Sequence, residues 1–201
     1  LGAPDMIEVM SKHLPRGSAA VIGEPSMMKT VNGHKGAFGV YTHLHGYEVH
    51  SSLIHTGVSA VMFAAKLVDW CNQVNAENAA RTPPPMAAGF VPPYTTPHVG
   101  IIHGGTANNI TAKDCEFSVF FRCVPGESFD MWRDAYLAKV AEVEAEMKAI
   151  HPETWIETSS GDGVPGLAPE PDGAAEALVR GLTGDNSTNV VSYCTEAGQF
   201  Q

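Results

Sequence analysis

The sequence predicts an α+β fold: an antiparallel βαββαβ sandwich inserted into a larger α/β unit that the 201 residues include only in part. Three observations predict it. Between residues 37 and 160, stretches of alternating polarity and stretches of three- and four-residue apolar spacing follow one another as β-α-β-β-α-β. The first helical stretch is apolar on two faces and the second on one. The flanks, 1–30 and 161–201, carry αβ pieces outside that order. The expected division is a remnant of the larger unit at 1–30, the inserted domain at 31–160 and a second remnant at 161–201.

The elements follow in order. Pro4 opens a short helix in which Met6, Ile7, Met10 and Leu14 recur at helical spacing. "AAVIG" at 19–23 reads as a brief buried strand. Residues 37–49 alternate, with Phe38, Val40, Thr42 and Leu44 on one side and Tyr41, His43, His45 and Tyr47 on the other. From Gly57 to about Val74 the period becomes helical. Val58, Val61, Met62, Ala65 and Val68 form one stripe, and Phe63, Leu67, Trp70 and Val74 lie nearly opposite. A helix apolar on two faces needs its own sheet on one side and a second domain or subunit on the other, so an oligomer is expected, with Phe63 and Trp70 as the residues to test.

A Pro-rich loop is expected over 78–93. Strands follow at 98–104 and 114–124, the second placing Cys115, Phe117, Val119, Phe121 and Cys123 on one face and Glu116, Ser118, Phe120 and Arg122 on the other. Ser128 is the expected N-cap of a helix over 128–150, whose apolar stripe runs from Phe129 and Trp132 to Met147 and Ile150. A strand at 154–160, a Gly/Pro-rich loop at 161–171, a helix at 174–182 and a strand at 189–194 complete the chain. The order over 37–160 is that of a ferredoxin-like sandwich.

Composition bounds the partners. A net charge of −10 with 12 Lys+Arg argues against a nucleic-acid backbone or an anionic membrane. The apolar runs are too short to span a bilayer, and the N-terminus carries no secretory signal pattern. Cys71, Cys115, Cys123 and Cys194 never form C-x-x-C, which suits a reduced, cytoplasmic setting. The chain begins at Leu1 without Met and stops at Gln201 just after a strand and a turn, so both ends are expected to be internal to a longer protein.

Several stretches together carry a resemblance: "GEPS" at 23–26, "GHKG" at 33–36, "HSSLIHTGVSA" at 50–60, "FVPPYTTPHVGIIHGGTANNI" at 90–110, "CEFSVFFR" at 115–122 and "YCTEAGQF" at 193–200. In this order and spacing the chain resembles the family of zinc amidohydrolases that comprises acetylornithine deacetylase, succinyl-diaminopimelate desuccinylase and the carboxypeptidase G type enzymes, and most closely its acetylornithine deacetylase branch. The resemblance implies a lid or dimerisation domain inserted in an α/β zinc-hydrolase domain, two zinc ions for which cobalt can substitute, hydrolysis of a small N-acyl amino acid, and a homodimer formed through the lid. Residue by residue, it implies that Glu24 ligates a metal and that His50 reaches the partner's active site to stabilise the oxyanion. It further implies that Asn109 and Arg122 bind substrate polar groups, and that Thr195 and Glu196 line the substrate pocket.

The family's H-x-D ligand motif, its Glu-Glu pair with the general base, and its closing His are absent from the 201 residues, and Ala112 stands where the family usually has Pro. The fragment itself is therefore expected to be inactive, with zinc not bound. His43 and His45 form a metal-like H-x-H on one strand face but match no family ligand, and His55 matches none either. A different class of reading is a non-catalytic ferredoxin-like module that dimerises and binds a small anion through Arg122 and Asn109.

Overall fold

The computed structural model describes residues 2–170 and 172–201. Leu1, in the first flank, and Pro171, the last residue of the expected 161–171 loop, lie outside them. Ten regular elements follow in chain order: α1 (Gly2–His13), β1 (Val31–His34), β2 (Gly36–His45), α2 (Ala60–Ala80), β3 (Thr96–Gly104), β4 (Asp114–Cys123), α3 (Phe129–Ile150), β5 (Trp155–Ser160), α4 (Ala174–Thr183) and β6 (Asn189–Val191). Strands β2 to β5 form an antiparallel sheet in the order β3-β4-β2-β5, while β1 and β6 pair in parallel as a second, two-stranded sheet. The βαββαβ order read from the sequence is thus present, and β1, at the start of the expected 31–160 domain, pairs with β6 of the second flank.

One face of the four-stranded sheet carries the core. Phe38, Val40 and Leu44 of β2 and Phe117, Val119 and Phe121 of β4 point inward. They pack on Leu67, Cys71 and Val74 of α2 and on Trp132, Tyr136, Val143 and Met147 of α3. The rings of Phe38 and Phe121 stack 4.6 Å apart. The buried Tyr136 hydroxyl shares a 2.7 Å hydrogen bond with Thr42 Oγ1, so its one polar atom enters the core satisfied. Burial also pushes the Cys71 and Cys123 thiols up to about 12, so both act as small apolar groups. Helix α3 starts as its sequence dictates, the Ser128 hydroxyl accepting from the Met131 amide at 3.1 Å.

Four local expectations are corrected. "AAVIG" is not a buried strand: residues 19–23 are irregular, largely exposed and paired with no strand among the described residues, so their backbone lacks the ladder partners that would make them one. Strand β2 stops at His45, and the chain then bridges Tyr47 to Val58 and His50 to Ile110 before a 3₁₀ turn over Ser51–Thr56. Helix α2 continues to Ala80, past the expected start of the Pro-rich loop. Finally, Phe63 and Trp70 are half-buried against the core. The stripe left outward is the other one, with Val61, Met62 and Ala65 exposed, because α2 turns Leu67 and Val74 to the sheet.

A buried polar network fixes the loop that leads into β3. The Thr95 hydroxyl donates to Glu127 Oε2 at 2.5 Å and accepts from the Val124 amide at 3.0 Å. Asn78 Nδ2 donates to the Thr95 carbonyl at 2.9 Å, and the Trp132 indole donates to the same Glu127 oxygen at 2.9 Å. Helix α2, α3 and β4 are thereby tied to one loop.

Leu67 is fully buried between α2 and the sheet, so Leu67→Ala is expected to lower unfolding stability in urea by about 3 kcal/mol, the transfer and cavity cost of a large-to-small core change. A loss below about 1 kcal/mol would show that the helix does not seat on the sheet through this stripe.

Candidate functional site

The chemistry-bearing side chains gather at the two opposite ends of the four-stranded sheet. At one end stands the junction between the sandwich and the flanks. Here β1 runs into β2 through Lys35, and the chain returning from β5 crosses beside it. His34 and Leu167 exchange backbone hydrogen bonds of 3.1 and 3.0 Å, and Ala37 and Val164 exchange bonds of 2.8 and 2.7 Å. Gly36 is needed at the crossing, since a Cβ there would lie 2.8 Å from the Gly166 amide nitrogen.

Beside this junction a cleft of about 420 Å³ is walled by Glu24, His34, Thr195 and Phe200 among others. Glu24 is exposed on that wall. Thr195 is buried, and its hydroxyl accepts from the Ala197 amide at 3.1 Å, starting the 3₁₀ turn over Glu196–Gln199. Arg122 projects from the outward face of β4 at this same end, where it pairs with Ala37. Its guanidinium lies 3.1 Å from Cys194 Sγ and over the Phe120 ring at 4.8 Å. The structure therefore places Glu24, Thr195 and Arg122 at one end.

His50 and Asn109 are at the other end. Asn109 precedes the start of β4, and Arg122 lies near its finish, roughly 26 Å of extended strand beyond Asp114. The Ser51 amide donates to the Asn109 carbonyl at 2.9 Å, and His50 bridges Ile110, so these two exposed residues share one loop pair. The His50 ring is oriented locally. Its Nδ1 lies 2.8 Å from Ser52 Oγ and accepts from the Ser52 amide at 3.3 Å. An Nδ1 that accepts leaves the neutral ring's proton on Nε2, which points away as a hydrogen-bond donor.

Two of the histidines set aside in the sequence reading lie on β2 toward the end that His50 and Asn109 occupy, but engage a different partner. His43 Nε2 and His45 Nδ1 both engage Asp114 Oδ1, at 3.0 and 2.8 Å, on the outward sheet face, with Trp155 stacked on His45. Among the described residues no group of three or more His, Cys, Asp or Glu is arranged to hold a metal ion, and no helix is long and apolar enough to cross a membrane.

Two junction residues carried no assignment in the sequence, although "GHKG" brackets them with glycines. His34 and Lys35 are each 1% exposed. Lys35 Nζ donates to the Tyr94 carbonyl at 2.7 Å. Burial pushes its ammonium down to about 8, against the opposing pull of Cys123 and Glu127.

Comparison with known proteins gives the frame for this geometry. Residues 32–148 match the peptidase dimerisation domain. Acetylornithine deacetylase of Myxococcus xanthus is 27% identical over 99% of this chain and 50% of its own length. The enzyme of the same name from Salmonella arizonae is 31% identical over 92% of this chain and 46% of its own. Aminopeptidase PepT of Bacillus cereus superposes with a TM-score of 0.64 at 17% identity, covering 100% of this chain and 51% of that one. A tripeptidase of Staphylococcus aureus gives 0.65 at 19%, covering 99% and 49%. The chain spans about half the length of the curated relatives it matches.

The Lys35 environment has a pH consequence. A lysine held at about 8 in the fold and near its ordinary 10.5 when unfolded makes folding costly below pH 8, and that cost recedes as pH rises from 8 to 10.5. Wild type is therefore expected to gain melting temperature relative to Lys35→Met across that window. A difference that stays constant from pH 8 to 10.5 would show that Lys35 keeps its ordinary pKa.

Proposed function

The chain belongs to the peptidase dimerisation domain family, and we propose that it is the lid, with adjoining pieces of the catalytic domain, of a metal-dependent amidohydrolase that deacylates small N-acyl amino acids, N-acetylornithine foremost. The similarity to acetylornithine deacetylases over nearly the whole chain supports the reaction class. What carries the reading is the division of the site between the two ends of one sheet. His50 and Asn109 cannot meet Glu24, Thr195 and Arg122 of the same chain across roughly 26 Å of strand. Two copies related by a two-fold axis would each bring His50 and Asn109 to the other's cleft.

The surface suited to that arrangement is the outward stripe of α2 together with the free edge of β3. Met62 is 59% and Ile101 68% exposed. The two elements are contiguous, since a Cβ on Gly104 would lie 2.8 Å from Val61 Cγ2. An edge strand with exposed isoleucines is a liability unless it is covered, and a second copy covers it.

In the proposed site each side chain has one task. The Arg122 guanidinium forks onto the substrate carboxylate, which asks that it leave Cys194. Asn109 hydrogen-bonds a substrate polar group. His50, its proton set on Nε2 by Ser52, donates to the amide carbonyl oxygen, where negative charge develops as the carbonyl carbon is attacked. Thr195 lines the pocket, and the exposed Glu196 beside it is assigned to the pocket's rim. Zinc fits Glu24 as a hard oxygen ligand on the cleft wall, and when bound it supplies Lewis acidity toward the carbonyl. One carboxylate is not a site, so the remaining ligands and the general base are assigned to the parent outside these residues, and the 201-residue piece alone is proposed to be inactive.

Two experiments test this. Light scattering of the full-length protein is expected to give a dimer, and Met62→Glu combined with Ile101→Lys a monomer; a wild-type monomer, or a dimer indifferent to both charges, would overturn the interface. The full-length protein loaded with zinc or cobalt is expected to hydrolyse N-acetylornithine in preference to N-succinyl-diaminopimelate, with His50→Ala lowering kcat by about 100-fold, the scale of one lost oxyanion donor, while remaining a dimer. Near-normal turnover in His50→Ala would remove the oxyanion role, and no hydrolysis of any N-acyl amino acid by wild type would leave the non-catalytic dimerisation module as the reading.

A further inference from the structure

We propose that His34 is a positioning residue that seats the Thr195–Phe200 turn on the junction between lid and catalytic pieces, and thereby sets substrate affinity from outside the reacting groups. The inference rests on the proposed function for the word substrate, but the clamp itself rests on geometry.

The ring of His34 is buried, and both of its nitrogens are engaged by main chain. Nε2 lies 3.1 Å from the Gly198 amide nitrogen. A backbone N–H can only donate, so Nε2 is the acceptor. The ring proton must then sit on Nδ1, which donates to the Lys35 carbonyl at 3.0 Å. The tautomer is fixed by its surroundings, and no nitrogen remains to serve as ligand, acid or base. Burial, the largest influence, holds the ring below its usual pKa and keeps it neutral despite the nearby Glu196 and Glu24 carboxylates.

Three separate segments meet at this ring. The first is β1, to which His34 belongs. The second is the returning crossing, held to the His34 backbone through Leu167. The third is the turn itself. Gly198 is pressed so closely on that crossing that a Cβ there would collide with the Pro165 carbonyl oxygen and lie 2.9 Å from the Gly166 carbonyl. A glycine has no side chain with which to anchor the turn, so the His34–Gly198 bond ties its middle to β1, while Gln201, just past the turn, holds Ala168 and Glu170. His34, Thr195, Ala197 and Phe200 all line the cleft that Glu24 faces. Loss of the acceptor would leave the half-buried Gly198 N–H unpaired, a cost the turn escapes by moving. Because the turn belongs to the cleft wall and not to the reacting atoms, its displacement weakens ground-state and transition-state binding alike, which raises KM and spares kcat.

The test uses the full-length, metal-loaded protein with two variants of nearly the same volume. His34→Leu removes the acceptor, and His34→Gln offers a side-chain carbonyl in its place. Hydrogen exchange over residues 195–200 and steady-state kinetics on the best N-acyl amino acid are measured for each. The expected result is faster exchange and a KM raised about 10-fold in His34→Leu, with kcat within about twofold and both readouts brought back toward wild type in His34→Gln. Unchanged exchange in His34→Leu, or equal impairment of the two variants, would reduce His34 to ordinary core packing and overturn the proposal. If wild type hydrolyses no N-acyl amino acid, the functional reading fails by itself, and exchange in the two variants still decides the clamp.

Discussion

The pinched crossing at residues 34–37 and 164–167 is the constraint on which the rest of the architecture depends. Two strands of chain leave the sandwich for the flanks, and they pass so closely that neither Gly36 nor Gly166 has room for a Cβ. Four reciprocal backbone hydrogen bonds hold them in register. Everything on the flank side is positioned relative to that crossing: β1 and β6 pair on it, the 195–200 turn rests against it, and the cleft with Glu24 opens beside it. On the sandwich side, β2 starts within it at Gly36, and β2 is a central strand flanked by β4 and β5. Burying Lys35 in the middle keeps an ammonium in a place where it is held at about 8. Its single hydrogen bond ties the crossing to the loop that leads into β3, so the costly residue links the junction to the edge of the sheet.

From that fixed point the sheet acts as a ruler. Its inward face is filled by aromatic and aliphatic side chains, and its outward face by Arg122, Glu116, Asp114, His43 and His45. The strands are long, so the outward face has ends that cannot communicate by side-chain reach. Arg122 sits near the crossing, already touching Cys194 of the second flank. His50 and Asn109 sit where the strands run out, in a loop pair held by two backbone bonds, Ser51 to Asn109 and Thr111 to Val49, that flank the His50–Ile110 bridge. Rigid separation of this kind is a disadvantage for a site within one chain and an advantage for one shared between two, because a partner's loop can be delivered at a distance fixed by strand length.

How much of this could be read in the sequence follows from the range of each signal. Period-two and period-3.6 patterns are local, so the order of elements over 37–160, the Ser128 cap and the two-faced sorting of β4 were legible without coordinates. So was the double apolar face of α2. Which of its stripes turns inward was not, because Leu67 and Phe63 are equally apolar and only the curvature and register of the sheet decide between them and Met62. "AAVIG" misled for the same reason: a strand is defined by its neighbours, and five apolar residues do not supply them. The positions of Glu24 and Thr195 on one cleft, the tie between Arg122 and Cys194, and the burial of His34 and Lys35 all depend on contacts between residues far apart in the chain, 59 residues for Lys35 with Tyr94 and 164 for His34 with Gly198. A motif such as "GHKG" can mark such a place but cannot say what presses on it.

The histidines show how little the residue type alone decides. His43 and His45 have the spacing of ligands, yet they converge on one oxygen of Asp114 and pack against Trp155. Burial raises the Asp114 pKa, but hydrogen bonds from His45 and His43 outweigh it and hold the carboxyl below its usual range. The pair therefore serves an anion that is part of the fold. His34 has both nitrogens taken by main chain and can only hold backbone in place. His50 alone among these four has one nitrogen tied by a neighbouring serine and the other directed outward from a loop at the end of the sheet. For an imidazole the first nitrogen's partner fixes the tautomer, and the second nitrogen's freedom fixes what chemistry is left. By that measure spacing favours the wrong pair, and of these four His50 is the exposed ring whose Nδ1 accepts from a neighbouring serine, which leaves its proton on Nε2.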